Sequence, residues 1–515
     1  MASASFAAIS HSRSAWFFIR MLAVTYACAF VSFGLQIDGL IGSEGILPAE
    51  QTMGYVRQNF GQTDWLRFPT LTWWWISDSA LHWHWYLGLA FSGVLFLGWL
   101  PHLCLVSLWT LYLSLVVVGR DFMAFQWDNL LLETGLLAIF LYSPTLRIHR
   151  KSRANTWVIA LFGWLLFRIM FSSGLGKFYT SQDVSWDNLT ALTVHFETQP
   201  LPTWFGYYWH QLPRSFHTFS CFGVLIAQVF LPFTLFGFQR IRSIGALSVI
   251  GFQVLIAATG NYGFFNLNTM IIAALLVDDG TSRKIQEKLL PFFSWMPLHR
   301  IRGVESGKGG EATNKKSKTS RIYVVGRATW FAACTLFVLS YFWASTFVML
   351  RTARLQGYNS AATSSFLDKI GPFRSVNGYG LFVVMTTVRN EIEVQGSEDG
   401  KTWKSYHFKY KPGVLSKAPE FMAPHMPRLD WQMWFAALGN IRQNRWFLAF
   451  CTQLLRGNSK VLSLLAHNPF PGSPPKFIRA KKFRYRFTRV DVKSQTANWW
   501  VRKQSGMYMP AQSLP

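Results

Sequence analysis

Apolar residues fill the first two thirds of the chain in blocks separated by short polar stretches. Blocks of roughly 15 to 25 residues match the thickness of a hydrocarbon core. They predict nine spans, near 16–35, 85–100, 103–119, 127–142, 157–178, 216–237, 244–260, 264–278 and 324–349. The second and fourth are short enough to be buried or re-entrant segments. The first block is too long for the core of a signal peptide and no small-residue cleavage site follows it, so it is expected to stay as an anchor. After residue 350 the period changes to two. EIEVQ and WKSYHFKY flank GSEDGKT, where Asp399-Gly400 predicts a hairpin. Phe483, Tyr485 and Phe487 alternate with Lys482, Arg484 and Arg486, a strand with an aromatic face and a basic face. A helix is predicted at 429–439, with Leu429, Met433 and Ala436 on one face and Gly439 at its end. The expected fold class is a polytopic α-helical membrane protein, 1–350, with a β-rich, sandwich-like extramembrane domain, 351–515.

Charge refines this picture. Of 515 residues half are apolar and 14% charged, against about 25% in ordinary soluble domains, which excludes a disordered or highly solvated chain. Basic residues gather in alternate loops: Arg147, Arg150, Lys151 and Arg153, then Arg240 and Arg242, then 279–323. These loops are expected inside, the acid-bearing loops 36–84 and 179–215 outside, and everything after 350 on the lumenal or extracytoplasmic face. Within 279–323, the Gly-, Ser- and Lys-rich stretch 303–321 reads as a flexible linker; Gly307-Lys308 lacks the spacing of a phosphate loop. The exterior domain holds 25 Lys and Arg against 8 Asp and Glu, most of the chain's net +26. Such a surface meets lipid phosphates or an acidic partner protein, and a nucleic-acid partner is not expected on that side of a membrane. Cys28, Cys104, Cys221, Cys334 and Cys451 form no CxxC pair.

The sequence contains no G-x-S-x-G elbow and no H-E-x-x-H helix, which disfavours a secreted-type hydrolase. His195, Glu197 and His210 crowd one outer loop, with His217 just beyond, in no metal-ligand spacing, so no metal and no cofactor are expected. His82 and His84, alternating with Trp83 and Trp85, read as an interfacial belt. Intramembrane charge is costly alone and usually paired. Helical depth places Glu133 of the fourth span within reach of Arg168 of the fifth, and Asp128 with Lys177 as a second pair nearer the outer surface. The four are either packing glue or a polar pocket open to the exterior.

GLIGSEGILPA at 39–49, FQWDNLLLETG at 125–135, LTALTVHFETQPLP at 189–202 with WHQLPRSFH at 209–217, and APHMPRLDWQMWFAALG at 423–439 together resemble the lipase maturation factor family, as does NPFPGSPPKFIRAKKFRYRFT at 468–488. The resemblance implies a multi-pass protein of the endoplasmic reticulum membrane whose lumenal domain helps secreted lipases become active, without catalysis. It suggests Trp431, Trp434 and Phe435 as a client contact surface, beside the basic Lys482, Arg484 and Arg486, although core aromatics would look the same. Cys451 alone lies outside, fewer cysteines than animal members carry, which admits a bacterial homologue in a plasma or inner membrane. Asn188-Leu189-Thr190 is a glycosylation sequon. Separately, SGLGKF at 173–178 with Trp186 is similar to a pattern in membrane-bound vitamin K-dependent carboxylases. That likeness implies an alternative, a membrane enzyme with Lys177 as base on a lipid or quinone.

Overall fold

The computed structural model describes residues 11–61, 64–179, 184–289, 321–353 and 360–514. Residues 303–320 of the expected linker lie outside that set, while the start of the basic segment is helical, Asp279–Leu289. The N-terminal part is a helical bundle: α1 (Ser12–Gly34), α2 (Asp78–Leu97), α3 (Pro101–Gly119), α4 (Gln126–Ile139), α5 (Thr156–Leu175), α6 (Arg214–Leu225), α7 (Gln239–Thr259), α8 (Phe265–Leu275) and, after the undescribed stretch, α9 (Arg321–Thr352).

Among the described residues six helical stretches are long and apolar enough to cross a membrane: Ser12–Gly34, Pro101–Met123, Thr156–Phe178, Arg214–Phe236, Gln239–Thr259 and Ala328–Thr352. The nine-span expectation is corrected accordingly. α4 and α8 have only 14 and 11 residues, too short to span at 1.5 Å per residue. α2 has the length but begins DSALHWHW, and its polar start places it outside the six. The ends have local causes. Ser77 Oγ accepts the Ala80 N–H at 3.1 Å to cap α2, Gly98 closes it at φ +83, and Pro101 opens α3 where no amide hydrogen is needed. Beyond α6 the chain loosens into a π-helical turn, Ile226–Phe230, and a 3₁₀ run containing Pro232.

The C-terminal part contains a four-stranded antiparallel sheet in the order β2-β1-β5-β6, with β1 Arg389–Ser397, β2 Lys404–Ser405, β5 Phe477–Phe487 and β6 Trp500–Gln512. A two-stranded ladder joins β3 (His407–Phe408) to β4 (Leu465–His467). The Asp399-Gly400 turn falls between β1 and β2, Gly400 at φ +72 and Asp399 Oδ1 accepting the Lys401 and Thr402 N–H groups. The predicted helix is α10 (Arg428–Leu438), with Leu429, Met433 and Ala436 buried against β1, and α11 (Arg445–Leu455) follows. β5 changes face through register shifts near Ala480 and Lys482. Ile478 and Ala480 therefore join the main core, whereas Phe483, Tyr485 and Phe487 form a second cluster with Trp500 and Tyr207. The main core is continuous, running from Phe18 and Tyr26 of the bundle to Ile392, Trp446 and Ile478 of the exterior part.

Candidate functional site

Apolar contact alone would let two bodies slide, and the seam between bundle and exterior domain is pinned by buried charge. Asp128, in the first turn of α4, meets Arg428 at the start of α10; both side chains are fully buried. Arg428 Nη1 and Nη2 donate to Asp128 Oδ2 and Oδ1 at 2.5 and 2.8 Å, a two-pronged pairing that suits the planar guanidinium. Tyr112 donates to Oδ1 at 2.5 Å, and Arg428 Nη1 also reaches the Phe122 carbonyl at 3.1 Å. Beside it, the Met426 and Arg428 amides donate to Ser32 Oγ and Gln36 Oε1 at the end of α1, each at 2.8 Å. A cavity of about 540 Å³ lies along this seam, lined by Cys28, Val31 and Leu35 on one side and Met422, His425 and Asp430 on the other. Asp430 is itself buried, which raises its carboxyl above the usual range although the Tyr410 and Lys411 amides donate to it at 2.8 Å.

Glu133 lies five residues beyond Asp128, about 140° around the helix, and so faces a different neighbour. It meets Arg168 of α5 at 2.8 Å, as helical depth predicted. Glu133 Oε1 also accepts from Tyr341 of α9 at 2.7 Å, while Oε2 accepts from Tyr379 at 2.6 Å and from the Asn377 amide and side chain at 3.1 and 3.0 Å. Arg168 Nη2 donates to the Asn377 carbonyl at 2.5 Å. A carboxylate with every lone-pair direction used is a structural hub, joining α4, α5, α9 and the chain leading into the exterior domain.

A third centre holds the sheet. Arg389 of β1 donates through Nε and Nη2 to Glu391 Oε1 at 2.9 and 2.7 Å, and to the carbonyls of Glu197, Gln199 and Pro200 at 2.8, 2.5 and 2.9 Å. Lys411 closes the set 2.8 Å from Glu391 Oε2. Arg389 and Glu391 stand opposite Tyr485 and Phe483 in register, so the aromatic face read in the sequence is the face that docks on the bundle, at the segment carrying Tyr207. Its basic counterpart points away, with Arg484 and Arg486 exposed and Lys482 half-buried.

The expected Asp128 and Lys177 pair is not formed. Asp128 is taken by Arg428, and Lys177, buried at the end of its span, donates to the Ser173 and Leu381 carbonyls at 2.8 and 3.0 Å with its Nζ 4.7 Å from the Trp186 ring. Among the described residues no carboxylate pairs with it. The four charges thus fall in three centres, Glu133 with Arg168 in one and Asp128 and Lys177 each in its own, and Arg389 and Arg428, which hold two of the seams, are not singled out by the sequence. Arg428 does lie inside one of the family-like stretches, the one signal that points to it.

Within α10, Trp431 is core, its ring 4.7 Å from that of Trp127. Trp434 is half-buried and donates to the Thr198 carbonyl at 2.9 Å, while Phe435 is 41% exposed. Asn188 is exposed in a turn. His210 Nε2 lies 3.6 Å from Glu197 Oε2, which also accepts the Phe487 amide. Burial, then the neighbouring His217, holds His210 down to about 4; burial and Lys177 do the same to His195. Glu197 is raised by burial. Among the described residues no group of three or more His, Cys, Asp or Glu is placed to hold a metal ion. His82 pairs with Asp38 at 2.8 Å and His84 with the Ala80 carbonyl at 2.7 Å.

A membrane-embedded helical bundle carrying a sheet domain pinned by buried ion pairs defines the class: a membrane protein with a fixed exterior module. Comparison makes it specific. The lipase maturation factor transmembrane domain matches residues 13–284 and the lipase maturation factor C-terminal domain residues 375–510. Lipase maturation factor 1 of Bos taurus is 34% identical over 96% of this chain and 87% of its own. Lipase maturation factor 2 of Xenopus tropicalis is 33% identical over 96% and 81%, and that of Homo sapiens 32% over 96% and 82%. The chain belongs to the lipase maturation factor family. No solved structure matches it.

Proposed function

We propose that this protein is a membrane-embedded maturation factor for secreted clients, by family lipases, and that its exterior domain engages the client. The observation carrying this reading is the docking itself: Arg428, Arg389 and the Glu133 hub fix the exterior domain in one orientation, so that Phe435, Arg484 and Arg486 stand on a preformed surface. Exposed aromatic and guanidinium groups on a rigid base suit transient contact with a partly folded chain, since ordering entropy has been met in the folding of the factor. The site lies on the lumenal face of the endoplasmic reticulum membrane, or the outer face of a plasma membrane for a bacterial source, with Asn188 open to a glycan. Membrane lipids are the remaining partner; no nucleic acid and no cofactor enter the reading.

The meeting of Lys177 with Trp186 supports the alternative, a carboxylase-like enzyme using Lys177 as base on a lipid or quinone. One experiment separates them. In cells lacking their own family member, secreted lipase activity is measured at matched expression for Phe435→Asp/Arg484→Glu/Arg486→Glu and for Lys177→Ala. The maturation reading expects the first to abolish secreted activity and a stable Lys177→Ala to retain it. The reverse ranking, with a loss of about 100-fold or more from Lys177→Ala, establishes the enzyme.

A further inference from the structure

Three guanidiniums gather at the end of the bundle away from the exterior domain. Arg20 sits on α1 twelve residues before Ser32, about 18 Å along the helix from the seam. Arg147 and Arg150 come from the loop between α4 and α5, which folds back on the turn between α2 and α3. There the Leu100 and Ile148 amides donate to the Leu146 and Gly98 carbonyls, each at 2.8 Å, and Trp99 pairs with Arg147. Arg20 and Arg150 both stack on the Trp16 ring, 3.8 and 4.7 Å from its centre, and Arg147 on Trp99 at 5.0 Å. Arg20 Nη2 lies 2.7 Å from where a Cβ on Gly98 would stand, so the glycine makes room for it.

Like charges held this close repel, and Arg147 and Arg150 both act on Arg20. Among the described residues none of the three is ion-paired. Asp279 accepts the Arg13 and Ser14 amides at the start of α1 and also acts on Tyr142. The Tyr142 hydroxyl acts electrostatically on Arg20 from a buried position and has no hydrogen-bond partner among the described residues. Arg20 Nη1 donates to the Trp16 carbonyl at 3.1 Å; stacking on tryptophan leaves the other guanidinium edges open to donate, and the cluster is short of an anion with several acceptor oxygens. The surroundings say where that anion comes from. Trp99, Leu100 and Leu146 are exposed beside the arginines, 50, 40 and 75%, and such side chains rest in a bilayer rather than in water.

We propose that Arg20, Arg147 and Arg150, set around Trp16 and Trp99, bind the phosphate of an anionic lipid headgroup in the leaflet at that end of the bundle. The lipid's acyl chains lie along the exposed apolar ring, and its phosphate neutralises the cluster. A free phosphate would satisfy the same donors and leave the ring uncovered.

The test uses the full-length protein in nanodiscs of phosphatidylcholine with a minor fraction of phosphatidylglycerol, with retained lipid counted by mass spectrometry. Phosphatidylglycerol around the wild type is expected to be enriched about five-fold over the bulk mixture, and to fall to the bulk ratio in Arg20→Gln/Arg147→Gln/Arg150→Gln. A control removing equal charge from the same end, Arg240→Gln/Lys284→Gln/Lys288→Gln, should stay enriched. Equal loss in both triple variants, or no enrichment in the wild type, overturns the site. Should the triple variant fail to fold, Arg150→Lys serves in its place: it keeps the charge but loses the planar fork, and enrichment should fall by half or more, an unchanged value overturning the proposal. Full displacement of the lipid by glycerol 1-phosphate would show a free-phosphate site and overturn the lipid assignment.

Discussion

The Asp128 and Arg428 pair permits a sharp test of how the exterior domain is held. Asp128→Asn keeps the shape but removes the charge, leaving Arg428 with the Phe122 carbonyl and the Tyr112 hydroxyl. Arg428→Met strands a fully buried carboxylate with Tyr112 as its remaining side-chain donor. Breaking a buried pair from one side typically costs about 3 to 5 kcal/mol, because the orphaned charge stays desolvated. Removing both charges leaves mainly unmet polar groups, so the double variant should be less damaged than the sum of the singles by about 2 kcal/mol or more. For an unfolding unit the size of the exterior domain, roughly 3 °C follows each kcal/mol, placing the single variants about 10 °C below the wild type. Tryptophan fluorescence of the protein in nanodiscs, heated at one fixed rate, reads all four forms. If the two losses add to within about 0.5 kcal/mol, the pair is not formed and the seam described above is wrong.

Three further outcomes follow from the same geometry. Glu133→Gln and Arg168→Met should each lower the yield of folded protein more than their combination, and Tyr379→Phe should cost about 1 to 3 kcal/mol by leaving Glu133 Oε2 one donor short; equal yields for singles and double would separate the residues. Gly39→Ala should loosen the exterior domain, since its Cβ would come 2.5 Å from the Lys460 carbonyl oxygen; proteolysis of that domain should rise several-fold, and unchanged resistance would refute the contact. His195 and His210 are held near 4, below the value of about 6.5 in an unfolded chain, so the unfolded state takes up protons first. Stability is thus fully present above about pH 6.5 and falls as pH drops toward 4, by up to about 1.4 kcal/mol per pH unit for each ring, Glu197 opposing this only nearer its own range. His210→Gln should flatten the thermal midpoint between pH 6.5 and 5, and an unaltered slope would argue against a buried neutral ring.

How much was legible depended on whether a signal was local. Apolar run length located the bundle but overcounted crossings, because it does not distinguish a helix buried by protein, such as α4, from one covered by lipid. Period-two alternation exposed the two faces of β5, and the Asp399-Gly400 turn was fixed by its own chemistry. Glu133 and Arg168 were found because antiparallel neighbours can be compared by depth. The partner of Asp128 is 300 residues away and no periodicity links the two, so Lys177, nearer in sequence, was assigned wrongly. Trp431 and Phe435 share a helical face by spacing, yet one is core and the other exposed: Phe125 lies against both rings, while Trp127 adds its cover over Trp431.

The continuous core has a consequence at the level of the gene. Because Arg428 finds its carboxylate, and Arg389 its carbonyls, in segments made hundreds of residues earlier, the exterior part is completed on a template and not beside one. A nonsense codon late in the reading frame therefore removes more than a tail: a stop before residue 428 leaves Asp128 buried without its cation inside an otherwise complete bundle, and one before 500 strips β6 from β5 and uncovers the aromatic cluster around Tyr207. Truncated products of this gene should be recognised by quality control as misfolded membrane proteins, and their loss should be counted in abundance rather than in activity.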